Sequence, residues 1–97
     1  MATLQIEHGT RDFGTWKQAF DSDPVGREAG GVRRYSIFRA SDDPNRAIVH
    51  LEFDSNDEAE AFGEKLRALW SARGAELGLE SPQARVLDAV ESHTYQP

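Results

Sequence analysis

The stretch "AIVHLEFDSNDE", residues 47–58, reads as a strand running directly into a capped helix, and the rest of the chain can be organised around it. Ala47, Val49, Leu51 and Phe53 alternate with the period of two that turns one face into a core. Ile48, His50 and Glu52 lie between them and are neither plainly apolar nor plainly suited to water, so the second face raises a question of its own. Ser55 and Glu58 have the spacing of a capping box, Ser55 reaching forward and Glu58 reaching back. The helix it opens carries Ala59, Phe62, Leu66, Leu69, Trp70 and Arg73 along one stripe, and Gly74 and Gly78 end it.

Upstream, "SDDPN" (41–45) supplies turn chemistry, with Pro44 fixing φ. The β-branched and aromatic "VRRYSIFRA" (32–40) before it is strand-like, so 32–40 and 46–53 pair as a hairpin. Pro24, Gly26, Gly30 and Gly31 mark an irregular segment. Before that, Asp12 is placed to cap a helix over "FGTWKQAFDS" (13–22), with Phe13, Trp16, Ala19 and Phe20 at helical spacing. "TLQIEH" (3–8) alternates Leu4, Ile6 and His8 against Gln5 and Glu7, which predicts the first strand. "QARVLDAVE" (83–91) predicts the last, with Ala84, Val86 and Val90 on one face and Asp88 as a polar exception there. Leu87 and Ala89 fall on its other face, and the polar tail 92–97 is expected to be loose.

The order is βαββαβ over a single domain, 1–97, with its core in 3–91. This is the ferredoxin-like arrangement, an α+β fold. Right-handed crossovers place both helices on one face of a four-stranded antiparallel sheet. The uncovered face then carries Ile48, Tyr35, Ile37, Leu87 and Ala89, too apolar a set to be left wet, and a second copy of the chain is expected to cover it.

The chain has 97 residues, 38% of them hydrophobic, which makes a small core and gives oligomerisation a stabilising role. A formal net charge of −6 and no basic run argue against nucleic acid and anionic membranes as partners. No apolar run reaches the ~20 residues of a membrane span. "MATLQIEHGT" has neither the basic region nor the apolar core of a signal peptide. There is no cysteine, which excludes disulfides, thiolate metal sites and a cysteine nucleophile. A cytoplasmic protein is the simplest expectation. "GREAGG" (26–31) lacks the lysine and the strand–helix context of a phosphate loop. No Ser/His/Asp arrangement stands out. The acidic run after Phe53 reads as a solvated helix face.

With these elements in place, "DFGTWKQAFD", "RASDDPNRAIVHLEFDSNDEAEAF" and the βαββαβ order resemble the dimeric α/β-barrel superfamily over roughly residues 3–90. The likeness is greatest to its antibiotic-biosynthesis-monooxygenase-like and cyclase-like branches. These motifs are structural, so the resemblance speaks to fold before chemistry. It implies a homodimer in which two sheets close a barrel across a twofold. It also implies a small-molecule cleft between the sheet and the helices of each subunit. The activities it brings in view are cofactor-independent oxidation or cyclisation of a hydroxylated aromatic or polyketide-like compound. No cofactor is expected.

The candidate site follows from parity within that frame. His8, in phase with Leu4 and Ile6, points toward the helices, where an imidazole can act as general base; the plain alternative is a hydrogen-bonded histidine at a strand end. Arg34 is expected on the same side, to hold an enolate or phenolate, and Tyr35 joins it only if the parity of its strand is the reverse. Arg33, its neighbour, then points to the dimer side, and for either arginine a salt bridge, with Glu52 or another carboxylate, is the competing role. Trp16, Phe20, Phe62 and Trp70 pack the core and can wall a pocket for an aromatic ligand. His50 and Glu52 share the opposite face and are expected to fix the dimer. A two-histidine metal triad is disfavoured because His8 and His50 lie on opposite faces, and haem ligation by a lone histidine has no support in the spacing. Two further readings stand beside the enzyme: a non-catalytic small-molecule-binding or structural homodimer, and an accessory module that binds another protein through a sheet edge.

Overall fold

The computed structural model describes residues Met1–Pro97. Its elements are β1 (Ala2–Thr10), α1 (Phe13–Asp21), β2 (Arg34–Arg39), β3 (Arg46–Phe53), α2 (Asn56–Arg73) and β4 (Leu79–Asp88). The sheet order is β2-β3-β1-β4, with every neighbouring pair antiparallel. This is the ferredoxin-like α+β fold expected from the order of elements. No helix is long and apolar enough to cross a membrane.

Strict alternation decides the central strands. Ala2, Leu4, Ile6, His8 and Thr10 of β1 are buried, as are Ala47, Val49, Leu51 and Phe53 of β3. These residues face the helices, where Trp16 of α1 and Ala59 and Phe62 of α2 complete one core. Caps hold both helices in place. Asp12 accepts from the backbone N–H of Thr15 at 2.9 Å. Ser55 accepts from the N–H of Glu58 at 3.2 Å and donates its own hydroxyl to the Glu58 carboxylate at 3.2 Å. The forward half of the predicted box therefore forms, while Glu58 reaches the Ser55 side chain instead of its main chain.

The edge strands differ from expectation. In β2, Arg34 pairs with Glu52, Tyr35 with Leu51 and Ile37 with Val49. Residues directly opposite in an antiparallel pair share a face, so Tyr35 and Ile37 point toward the helices. Arg34, Ser36 and Phe38 point away, the reverse of the predicted parity. β2 carries large apolar side chains on both faces, and only the hairpin register set by the Ala40–Asn45 turn decides between them. Four of the five residues in the predicted apolar face keep a strand position, but Tyr35 and Ile37 leave it for the other side. What remains there is mixed: Ile48, Phe38 and Leu87 among Gln5, Glu7, Ser36, His50, Glu52 and three arginines.

β4 keeps its predicted faces and shifts its limits. Ala84 pairs with Ile6 and Val86 with Leu4, on the core side. The strand begins at Leu79 and ends at Asp88, leaving Ala89 and Val90 outside it. Pro82 sits at an irregularity where the ladder skips between Glu7–Gln83 and Gly9–Glu80. An edge strand tolerates a missing N–H at such a bulge. Asp88, the polar exception, accepts a hydrogen bond from Asn56 Nδ2 at 3.1 Å across the start of α2.

Candidate active site

A cleft with about 80 Å³ of free space lies between the core face of the sheet and the two helices. A single water needs roughly 10–15 Å³, so the space exceeds a solvent pocket. The sheet contributes Ile6, His8, Val49 and Leu51. Trp16 and Phe20 come from α1, and Phe62, Leu66, Leu69 and Trp70 from α2. The four aromatic residues named from the sequence as pocket walls therefore all line one cleft, and His8 lines it with them.

His8 is 2% exposed. Nδ1 lies 3.1 Å from the carbonyl oxygen of its neighbour Gly9, so this nitrogen is assigned as the donor. Nε2 then carries the lone pair and has no hydrogen-bond partner in the protein. Trp16 stands edge-on to the imidazole at 5.1 Å between ring centroids, fixing the ring plane. Burial is the main force holding the His8 pKa below the ordinary 6.5. The charge of Arg46 acts in the same direction, and the bond to Gly9 opposes both. The irregularity in β4 falls opposite His8, so the neighbouring strand is interrupted at the residue. The result is a neutral imidazole, buried among apolar groups, with its basic nitrogen uncommitted.

Arg34 is not in this cleft. It lies on the open face, 72% exposed at its side chain, with Nε 3.3 Å from a Glu52 carboxylate oxygen. The salt bridge weighed as the competing role is the contact it makes. Tyr35, on the helix side, packs edge-on to Phe20 at 5.2 Å and lines a polar hollow next to the cleft, not the cleft itself. His50 and Glu52 share the open face, as expected. His50 Nε2 donates to Gln5 Oε1 at 3.0 Å, and Phe38 stacks edge-on to its ring at 5.2 Å. Partners within the same chain thus satisfy both residues. His8 and His50 lie on opposite sides of the sheet, and no group of three His, Asp or Glu side chains stands together as a metal site.

The segment joining α1 to β2 supplies what the sequence reading missed. Asp23, Pro24, Val25 and Arg27 line the cleft mouth. Asp23 adopts a positive φ of 55°, tolerated by Asp, and its Oδ1 accepts from the N–H of Arg27 at 2.9 Å. Arg27 Nη1 donates to the Phe20 carbonyl at 2.8 Å, and the guanidinium covers the Phe20 ring at 3.9 Å from its centroid. The spacing of Asp23 and Arg27 around Pro24 and Gly26 was the available signal. Reading "GREAGG" only as a failed phosphate loop passed over it.

No protein-family model and no curated protein matches this chain. Solved structures do. A protein from Deinococcus radiodurans, provisionally named an antibiotic biosynthesis monooxygenase, superposes with a TM-score of 0.66 at 10% identity over 100% of both chains. A protein of the same provisional name from Nitrosomonas europaea gives 0.60 at 16% identity, covering 94% of this chain and 100% of its own. A dimeric ferredoxin-like protein from an uncultured marine organism gives 0.61 at 14% identity over 95% and 97%. At these identities the likeness is one of fold, and two of the three proteins carry the name of the branch that the sequence resembles.

Proposed function

We propose that this chain is a cofactor-independent monooxygenase acting on a small hydroxylated aromatic compound. One observation carries the reading: a neutral, buried imidazole whose Nε2 has no partner lines an aromatic-walled cleft between sheet and helices. Trp16, Phe20, Phe62 and Trp70 hold the ring by stacking and exclusion of water. His8 removes the phenolic proton and, as imidazolium, stabilises the phenolate it has made. Dioxygen then takes its electrons from the ring. One oxygen atom enters as a quinone carbonyl and the other leaves as water, so the substrate is the only reductant. A cleft of this size favours a compact aromatic over an extended polyketide. Arg34, on the other face, has no part in the scheme, and Tyr35 supports Phe20 from outside the cleft.

The chain works as a homodimer in this reading, with the mixed face of Ile48, Phe38, Leu87, His50 and Glu52 covered by a second copy. A reducing, cytoplasmic setting agrees with the lack of cysteine. The competing reading, a non-catalytic small-molecule-binding dimer, draws on one observation: the only polar partner of His8 is main chain.

Oxygen uptake with a panel of phenols and hydroxynaphthalenes separates the two, run on wild type and His8→Gln. The expected result is uptake with wild type, reduced about 100-fold or more in His8→Gln, with thermal stabilisation by the same compound retained in both. Stabilisation without uptake in either protein supports the binding dimer. Undiminished uptake in His8→Gln removes His8 as the base.

A further inference from the structure

Arg27 borders two spaces at once. It lines the apolar cleft, and it also lines an open polar hollow of about 450 Å³ beside it, together with Arg33, Arg34 and Tyr35. Its side chain is only 17% exposed. No buried polar side-chain atom lacks a partner, so any free N–H of this guanidinium is open to the hollow and available to a ligand there. Here Nη1 bonds the Phe20 carbonyl, and the nearest approach to a carboxylate is 3.5 Å, to an Asp23 oxygen already bonded to the Arg27 main chain. The edge formed by Nε and Nη2 has no partner in the protein.

The surroundings hold that edge in place. The guanidinium lies over Phe20 and 5.1 Å from the centroid of Tyr35, so stacking orients its plane. The hollow is lined by three arginines together with Asp23 and Glu28. Of the other two, Arg33 is bound to Asp54 at 2.7 Å and Arg34 approaches Glu52 at 3.3 Å. Arg27 is the one of the three that also lines the apolar cleft, so its spare donors stand at the boundary between apolar and polar space. A planar fork of two N–H groups matches the two oxygens of a carboxylate.

We propose that the ligand of the cleft is an aromatic acid, its ring in the apolar cleft beside His8 and its carboxylate held by the Nε–Nη2 edge of Arg27. This rests on the small-aromatic reading given above and specifies its substrate class. Arg27 anchors one end of the ligand while His8 faces the other part of the ring, so the two residues together fix its orientation.

The test is calorimetric titration of para-hydroxybenzoate and its methyl ester, identical in ring and hydroxyl, against wild type, Arg27→Leu and Arg27→Lys. Wild type is expected to bind the acid at least about tenfold more tightly than the ester, the scale of a hydrogen bond to a charged group. Arg27→Leu is expected to abolish that preference by losing the acid while the ester changes less than about threefold. Arg27→Lys keeps the charge without the fork and should retain only part of the preference; it decides the matter if the leucine variant does not fold. Equal binding of acid and ester by wild type overturns the proposal. So does absence of binding by both, parallel weakening of both in Arg27→Leu, or full preference in Arg27→Lys. Oxygen uptake is scored separately. Arg27-dependent acid binding without uptake overturns the monooxygenase and leaves the carboxylate site standing, whereas uptake of neutral phenols with no acid preference does the reverse.

Discussion

In the proposed reaction His8 is the base, and its pH behaviour follows from its burial. The folded pKa lies below the ordinary 6.5, so between the two values the unfolded chain holds a proton that the folded chain does not. The contribution of His8 to stability is therefore fully present above about pH 6.5 and is lost as pH falls toward the folded value. Urea unfolding across pH 7 to 5 should show a decline that His8→Gln flattens; an equal slope in both proteins would place the titration elsewhere. The same shift keeps the base unprotonated in mildly acidic solution, so the acidic limb of kcat/KM is expected below pH 6.5, and a limb near 7 or above would argue against His8 as the base. Its orientation toward the helices was legible from the phase of Leu4, Ile6 and His8. The orientations of Arg34 and Tyr35 were not, because β2 is apolar on both sides and its phase belongs to the hairpin.

Among the elements, α2 and the segment before β2 shape the cleft together. Ser55→Ala removes the cap that satisfies the Glu58 N–H and should cost about 1 kcal/mol, read as a lower urea midpoint at unchanged m. A loss of under a few tenths would mean that Asn56 or solvent replaces the hydroxyl. Gly30 shows how tightly the loop is laid on the helix: a Cβ there would stand 2.6 Å from Phe62 Cδ1. Gly30→Ala must displace a ring that walls the cleft, at a cost of about 1–3 kcal/mol. Ligand affinity should fall with stability in this variant, whereas Ser55→Ala should leave affinity intact. The capped helices were legible because capping is local and involves residues three apart. Arg27 was not, since the loop that carries it has no periodicity and gains its place only by packing on Phe20.

At the scale of the molecule, the proposed homodimer rests on the open face of the sheet. Phe38 is 49% exposed in the single chain, beside His50 and Ile48. Phe38→Asp should convert a homodimer to a monomer by light scattering with its circular dichroism preserved, and wild-type monomer would remove the barrel from the account. Period-two and period-3.6 patterns, caps and turn residues are properties of short segments, and for that reason the sequence by itself determined the order of elements, the core strands β1 and β3, and the helix-facing position of His8. Which face an edge strand presents, where Pro82 interrupts a ladder, and which loop residue reaches the cleft depend on partners distant in the chain. Register and packing across the fold set those relations: Arg34 outside, Tyr35 against Phe20, and Arg27 between the two cavities.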